Sequence, residues 1–378
     1  MKIKRTLMHE LERFLLPGKV LVLYGPRQVG KTTLVQDFLA QVELRSRFVN
    51  AEILNNREAL SSQSVQQLKA LVGDAELLVI DEAQKIPNIG INLKLLVDTF
   101  PEVRVIATGS ASFDLANKLS ESLTGRKFTF TLYPVSYKEL VEAISPLDAR
   151  GQLERWLVWG GYPAITTTDD LVVREAMINE LVSSYLYRDI LEMEGIRHSD
   201  KLVDLLRLLA YQIGQEVSTA ELATSLSMNR KTVMRYLELL EKSFVIYRVG
   251  GFSRNLRKEV TKSVRYCFYD NGVRNSLIQN FNPIRFRNDI GMLWENYLMT
   301  ERRKANQAQH RSVNTYFWRT YDQKEIDLIE EYGGVLHGYE FKWRNGVIKK
   351  ATRREFMETY PNSELKVINQ ENFETFIL

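Results

Sequence analysis

The chain has 378 residues, of which 44% are hydrophobic and 26% are charged, a composition typical of a globular protein with two or three domains. The net charge is only +4, so any strongly basic surface must be local. The single cysteine, Cys267, excludes an internal disulfide framework and a thiolate metal cluster. The sequence has no apolar stretch long enough to cross a bilayer, which predicts a cytoplasmic protein without a membrane partner.

The first 135 residues alternate between helical and strand patterns. Residues 5–16 have apolar positions at helical spacing and are followed by Pro17-Gly18, which ends a helix. Apolar runs then predict strands near 20–24, 46–50, 77–81, 103–108 and 127–132, separated by helical segments. This alternation predicts an α/β fold with a parallel sheet and crossover helices, whose ligand site lies at the carboxyl ends of the strands.

The segment Gly25-Pro-Arg-Gln-Val-Gly-Lys-Thr-Thr33 fits the phosphate-loop pattern G-x-x-x-x-G-K-[ST] and lies between a predicted strand and a predicted helix. Glycines let successive backbone N–H groups face phosphate oxygens, while a lysine reaches the β- and γ-phosphates. Thr32 is a candidate ligand of Mg²⁺. The alternative is a glycine turn without a ligand, but the complete spacing favours a nucleoside triphosphate, ATP, with Mg²⁺. The predicted nucleotide-binding residues are Gly25, Pro26, Arg27, Gln28, Val29, Gly30, Lys31, Thr32 and Thr33.

Two acids follow the third predicted strand. Asp81 and Glu82 come directly after the apolar run 77–80, at the edge where Mg²⁺-bound water would lie. We expect Asp81 to hold the metal and Glu82 to orient the attacking water. The alternative is a pair of helix-capping or surface acids. Thr108 and Ser110, at the end of the next strand, are candidate sensors of the γ-phosphate.

Residues 136–210 are predicted to be helical, interrupted by Gly160-Gly-Tyr-Pro163. Beyond them, Ser218-Thr-Ala-Glu221 has capping-box spacing and opens a helix through Leu226, and a second helix is predicted from Arg230 to Lys242. This pair, with strand patterns at 244–249 and 264–269, predicts a winged helix.

The predicted winged helix concentrates positive charge. Residues 230–265 contain ten Lys or Arg residues and three Glu residues, a net charge of +7. The functional interpretation is duplex DNA, with the second helix in the major groove and the wing on phosphates. The alternative is a helix used for packing or protein contact, with a solvated basic face. The predicted DNA-binding residues are Arg230, Lys231, Arg235, Arg254, Arg257, Lys258 and Lys262.

Four charged residues near the C-terminus form a further candidate site. Asp327 follows Glu325-Ile, Tyr339-Glu-Phe-Lys-Trp343 places Glu340 and Lys342 on one face of a strand, and Glu295 lies in a helical stretch. The D…E-x-K order resembles the core of restriction-endonuclease-like nucleases, in which carboxylates hold Mg²⁺ and a lysine aligns the attacking water. The same alternation is also that of any half-buried strand.

Taken in order, the phosphate loop, Val79-Ile-Asp-Glu-Ala-Gln84, Ala107-Thr-Gly-Ser-Ala111 and Leu123-Thr-Gly-Arg126 resemble the AAA+-type ATPase domain of a large bacterial and archaeal family. Tyr133-Pro-Val-Ser-Tyr-Lys-Glu139, Gly160-Gly-Tyr-Pro163 and Tyr187-Arg-Asp-Ile190 resemble its later signatures, so the resemblance covers nearly the whole chain. In that family the ATPase precedes a C-terminal domain of unknown function with a winged helix and a nuclease-like fold.

The resemblance implies an ATPase core at 1–135, a helical lid at 136–210, a winged helix at 211–275 and a PD-(D/E)xK nuclease-like domain at 276–378. It also implies that Arg126 stabilises transition-state charge, in its own subunit or as a finger into a neighbour, and hence a homo-oligomer such as a ring. From the residues alone, Arg126 is equally a solvated loop arginine. The function expected is ATP hydrolysis that drives or gates DNA binding. The alternatives are an ATP-gated nuclease and a nucleotide-switched protein-interaction module.

Overall fold

The computed structural model describes residues 2–110, 123–184, 199–253, 264–320 and 322–378. The chain divides into two compact units. One contains residues 2–134 together with 242–244, and the other contains residues 135–241 and 245–378.

The N-terminal unit is built on a five-stranded, fully parallel sheet in the order β2-β3-β4-β1-β5. Every residue of β1 and β3 is buried, as expected for apolar strands covered on both faces, whereas the edge strand β2 exposes its first three residues. The predicted parallel α/β sheet is confirmed. Its strands are β1 (Val20–Tyr24), β2 (Ser46–Asn50), β3 (Leu77–Asp81), β4 (Arg104–Gly109) and β5 (Lys127–Thr131).

Helices cover this sheet. The predicted first helix is shorter than expected, because only Met8–Phe14 is helical and Leu11 is its one buried residue. The helices are Met8–Phe14, Lys31–Leu39, Leu54–Ser61, Val65–Val72 and Ile89–Thr99, with a 3₁₀ turn at Ala83–Lys85.

The second unit begins with helices and contains a six-stranded mixed sheet in the order β11-β10-β9-β8-β6-β7. Its strands are β6 (Ile246–Gly251), β7 (Val264–Phe268), β8 (Asn314–Arg319), β9 (Glu325–Tyr332), β10 (Val335–Phe341) and β11 (Ser363–Ile368). Its helices are Tyr137–Ala143, Pro146–Gly151, Leu153–Trp159, Pro163–Thr166, Leu171–Ser184, Ser199–Tyr211, Thr219–Leu226, Arg230–Lys242, Asn271–Leu277, Ile290–Ala308, Lys350–Thr359 and Phe373–Ile377, with a 3₁₀ turn at Ile284–Phe286.

The predicted boundary between residues 275 and 276 does not separate two compact units. Strands β6 and β7 belong to the same sheet as β8–β11, because β6 pairs in parallel with β8 through Gly250 and Gly251. This pairing satisfies backbone groups that an isolated two-stranded wing would leave at a free edge. The predicted winged-helix and nuclease-like segments therefore share one sheet.

The helix pair at 219–242 has the predicted boundaries. The Ser218 side chain accepts a hydrogen bond from the Glu221 N–H at 3.3 Å, which caps the first helix. Ser227, in the left-handed region at φ 51°, makes the turn. Val233, Leu237 and Leu240 on the second helix are all buried. The opposite face of this helix is therefore the one that faces solvent.

Candidate functional site

The phosphate loop depends on two glycines with backbone geometry closed to other residues. Gly25 has φ +152°, and a Cβ at this position would lie 2.2 Å from the carbonyl oxygen of Leu132. Gly30 has φ +93° and immediately precedes the helix Lys31–Leu39. The loop consequently directs the helix N-terminus, with its free N–H groups, at the place where phosphate is expected.

The Lys31 side chain lies inside this loop rather than in solvent. The residue is 5% exposed, and its Nζ donates to the carbonyl oxygens of Gly25 at 2.9 Å and Pro26 at 2.8 Å. The loop carbonyls thus hold the ammonium group at the centre of the curve, where phosphate oxygens would compete for it. This position is consistent with the role predicted for Lys31.

Asp81 is the point at which three elements meet. Its carboxylate accepts from the Thr32 hydroxyl at 2.9 Å and from the Thr108 hydroxyl, and the residue is 4% exposed. Parallel pairing of β3 with β4, and of β4 with β1, brings these strand ends together. A hydroxyl and a carboxylate oxygen are ligands suited to Mg²⁺, which commonly takes one or two protein oxygens together with phosphate and water. The residues therefore fit an ATP-bound Mg²⁺ ion.

The predicted catalytic acid is fixed by a residue that the sequence analysis did not single out. Glu82 adopts a left-handed conformation at φ 56°, and its N–H donates to the Thr108 hydroxyl at 3.2 Å. The Gln84 amide nitrogen donates both to the Glu82 carboxylate and to the Ser110 hydroxyl, the latter at 3.0 Å. Thr108 thus contacts both acids, whereas Ser110 is linked to Glu82 through Gln84. The contact between Gln84 and Glu82 was not predictable from the sequence, because it forms only when the 3₁₀ turn Ala83–Lys85 brings the Gln84 side chain back toward Glu82.

Arg5 is a second residue that sequence reasoning missed. Its guanidinium donates to the carbonyl oxygen of Val29 at 2.7 Å and to that of Tyr133 at 2.5 Å. It therefore ties the phosphate loop to the chain that leaves β5. The sequence signal was weak, because a single arginine at the start of an amphipathic segment is normally solvated.

Arg126 lies at the amino end of the strands, whereas the phosphate loop lies at their carboxyl end. Its carbonyl oxygen accepts from the N–H of Val20, the first residue of β1, whereas the loop follows Tyr24 at the other end of that strand. The strand rise of about 3.3 Å per residue separates the two by more than 10 Å. Its Nε is 2.6 Å from Asp98. Arg126 is therefore paired with Asp98 away from its own phosphate loop, and its role in catalysis, in its own subunit or in a neighbour, stays a prediction.

The basic helix presents its predicted cations to solvent. Arg230, Lys231 and Arg235 are all exposed, and Met234 is 52% exposed between them. The Arg230 guanidinium donates to the Thr219 hydroxyl at 2.9 Å, which fixes its stem against the preceding helix. The other four predicted DNA-binding residues lie outside the described residues: Arg254, Arg257, Lys258 and Lys262. Two parts of the family resemblance, Ala111 and Tyr187-Arg-Asp-Ile190, also lie outside them.

The C-terminal carboxylates do come together. Lys342 Nζ lies 2.7 Å from Glu340, the Phe341 N–H donates to Asp327 at 2.7 Å, and Arg265 from β7 bridges Glu295 at 3.3 Å and Glu325 at 2.9 Å. We call these six charged residues the acid cluster: Arg265, Glu295, Glu325, Asp327, Glu340 and Lys342. Arg265 and Glu325 were not predicted, because their proximity depends on β7 joining the sheet.

The acid cluster has more buried negative than positive charge. Burial, followed by repulsion from Glu340, raises the pKa of Asp327 to about 7. Burial, followed by repulsion from Asp327, raises the pKa of Glu295 well above its usual value. Oε2 of Glu340 is buried and has no hydrogen-bond partner within the described ranges. Across those ranges, no three His, Cys, Asp or Glu side chains are arranged as ligands of one metal ion.

The Gly160-Gly-Tyr-Pro163 motif has a packing role. The Gly161 N–H donates to the Asp270 carboxylate at 2.7 Å, and a Cβ on Gly160, at φ +75°, would lie 2.0 Å from the Asp270 Oδ1. Burial raises the pKa of Asp270 to about 6. Gly160 is thus required by the buried carboxylate, whereas Gly161 is required because a Cβ there would lie 2.6 Å from the carbonyl oxygen of Val135. Cys267 is also buried, as predicted, and has no disulfide partner.

Comparison with known protein families identifies the class of domain to which the first unit belongs. A family model described as an AAA domain matches residues 17–141. The Walker-type ATPase PABY2304 of Pyrococcus abyssi, a solved structure, superposes with a TM-score of 0.50 at 16% identity, covering 72% of this chain and 94% of that one. The first unit is therefore a P-loop ATPase domain of the AAA type, which binds nucleotide. Two models described only as domains of unknown function, DUF8612 and DUF4143, match residues 150–283 and 290–375.

Relatives match across both units. Uncharacterized protein Rv2008c of Mycobacterium tuberculosis is 31% identical over 347 residues, which cover 90% of this chain and 74% of that protein. Uncharacterized protein MJ1544 of Methanocaldococcus jannaschii is 24% identical over 354 residues, covering 87% and 76%. The chain belongs to the family of Rv2008c. Within the part of the chain described, no helix is both long and apolar enough to span a membrane.

Proposed function

We propose that this protein hydrolyses ATP with Mg²⁺ and that its nucleotide cycle acts on DNA bound by the basic helix Arg230–Lys242. The observation that carries the ATPase part is the meeting of Thr32, Asp81 and Thr108 beside the buried Lys31. In phosphoryl transfer, the protein contributes mainly positioning and electrostatic stabilisation, and these groups supply both. Glu82 then orients the attacking water.

DNA as the ligand of the second unit is supported by exposure and charge. Three cations lie on one face of an exposed helix whose opposite face is buried, which is the arrangement expected of a helix that enters the major groove. Because such contacts release counterions from phosphates, binding should be strongly salt-dependent.

Replacing Arg230, Lys231 and Arg235 together by Ala should weaken duplex DNA binding. The three lost phosphate contacts should reduce the slope of log K against log salt by about 2–3. Fluorescence anisotropy with labelled duplex at several salt concentrations measures this slope. ATP turnover with and without the same duplex then tests coupling, and we expect the stimulation by DNA to disappear in the variant.

A matched control removes three exposed cations from another helix of the same unit. Lys350, Arg353 and Arg354 on Lys350–Thr359 are exposed, and their replacement by Ala changes the net charge equally. Equal weakening by both triple variants would reject the basic helix as the DNA contact. Absence of DNA binding by the unaltered protein would favour a nucleotide-switched protein-interaction module.

We also propose that the active form is a homo-oligomer. Arg126 lies at the sheet edge remote from its own phosphate loop, with a half-exposed side chain. An arginine finger in that position needs a neighbouring subunit. Arg126 also forms an ion pair with Asp98, so the finger would have to exchange that partner for a phosphate.

A second candidate function is metal-dependent DNA cleavage by the acid cluster. The observation that favours it is the convergence of Asp327, Glu340 and Lys342 on adjacent strands, with Glu295 on the neighbouring helix. Two carboxylates and a lysine are the side chains that such hydrolysis uses.

Cleavage by this site should be lost when either strand carboxylate is removed. Asp327→Ala and Glu340→Ala should each abolish DNA cleavage in Mg²⁺ or Mn²⁺, while Asp322→Ala, at an exposed position outside the cluster, should retain it. Gel analysis of supercoiled plasmid measures the nicking rate. Equal cleavage by the unaltered protein and all three variants would assign the activity to a contaminant.

A further inference from the structure

Gln84 occupies a position in the ATPase site to which sequence reasoning assigned nothing. It lies in the 3₁₀ turn Ala83–Lys85, which begins at the left-handed residue Glu82 and so returns the side chain of residue 84 toward that of residue 82. The Gln84 Nε2 donates to the Glu82 Oε2 and, at 3.0 Å, to the Ser110 Oγ. Both amide hydrogens are therefore used, one of them on the predicted catalytic carboxylate.

The contact with Glu82 determines which way the amide faces. An ionised carboxylate only accepts hydrogen bonds, so the nitrogen of Gln84 must face Glu82 and the oxygen must face away. That oxygen, Oε1, is buried and has no hydrogen-bond partner among the residues described. An unsatisfied buried acceptor is destabilising, and such groups persist where a ligand or water supplies the donor.

The hydrogen bonds of Gln84 extend a network that joins two strand ends. Ser110 follows β4, Glu82 follows β3, and the Glu82 N–H is held by the hydroxyl of Thr108 on β4, which also donates to Asp81. Gln84 completes this network by joining the Glu82 carboxylate to the Ser110 hydroxyl. Among the described residues, Gln84 is the side-chain partner that selects one rotamer of the Glu82 carboxylate.

We infer that Gln84 is a positioning residue for ATP hydrolysis, which holds the Glu82 carboxylate toward the attacking water and links it to Ser110. The inference depends on the proposed ATPase function. Misplacing a reacting group by about 1 Å costs on the order of 10²-fold in rate, so the effect should fall on kcat rather than on nucleotide affinity.

The test compares two substitutions that remove the hydrogen bond to Glu82 in different ways. Gln84→Leu keeps the approximate size and removes both hydrogen bonds, and it should lower kcat about 10²-fold with little change in Kd for ATP. Gln84→Glu keeps the length of the side chain but replaces the donating amide by a carboxylate, which cannot donate to Glu82, and it should also lower kcat with little change in Kd for ATP. Gln66→Leu, at an exposed position, is the matched control.

The outcomes separate this inference from the function on which it depends. If the unaltered protein neither binds nor hydrolyses ATP, the proposed function fails. If it hydrolyses ATP and Gln84→Leu has the same kcat, only the positioning role fails. Retained ATP affinity in Gln84→Leu shows that the site is folded, so a loss of kcat then supports the inference, as does the same separation of kcat from affinity in Gln84→Glu.

Discussion

Glu82→Gln is expected to bind ATP with near-normal affinity and to hydrolyse it about 10²–10⁴-fold more slowly, the range for loss of a positioned general base. The amide retains the size of the side chain but cannot accept a proton from water. Lys31→Ala should instead lose both affinity and turnover, because the lysine contacts the phosphates themselves. Phosphate release measured under steady state gives turnover, and calorimetric titration with ATP and Mg²⁺ gives affinity.

The controls for this pair lie in the same unit. Glu58→Gln changes an exposed glutamate on the helix Leu54–Ser61 and should leave both quantities unchanged. Circular dichroism checks that Lys31→Ala remains folded. Full turnover in either Glu82→Gln or Lys31→Ala would overturn the assignment of the site.

The second large effect concerns the pH dependence of stability in the unit that contains the acid cluster. The pKa of Asp327 is raised from 3.8 to about 7 in the folded protein, mainly by burial. A raised carboxyl pKa means that the stability contributed by the bound proton is present below the unfolded pKa and is lost as pH rises through 7. The free energy of unfolding should thus fall between about pH 4 and pH 7.

Asp327→Asn should remove much of this pH dependence. At pH 8 the variant should be more stable than the unaltered protein by up to about 4 kcal/mol, because a tenfold change in proton affinity corresponds to about 1.4 kcal/mol and the pKa rises from 3.8 to about 7. The amide oxygen can still accept from the Phe341 N–H. Urea unfolding followed by tryptophan fluorescence isolates this unit, because all five tryptophans lie beyond residue 134.

Asp322→Asn, at an exposed position, provides the control and should not change the slope. An identical pH slope in Asp327→Asn and the unaltered protein would show that Asp327 is not the titrating group. Added Mn²⁺ separates the two interpretations of the acid cluster. A metal site predicts stabilisation of the unaltered protein at pH 8 but not of Asp327→Asn.

Much of the ATPase unit was predictable because its signals are local. The ends of the five strands were predicted within one residue, since each is a short strand pattern between helical segments. Features that depend on which strands pair with each other were less predictable from the sequence. The pattern at 264–269 identified β7 as a strand, but nothing local indicated that β6 would pair with β8 and bring Arg265 to Glu295.

By itself, the sequence determined the parallel α/β class, the phosphate loop and the acids that follow β3, because these depend on neighbouring residues and a fixed chemical order. Only the tertiary structure decided that Gln84 contacts Glu82, that Arg5 holds the loop, that Arg126 lies beside the first residue of β1, and that Gly161 donates to Asp270. These contacts arise when distant strand ends or turns become adjacent. Their energies come from burial and pairing that no local pattern encodes.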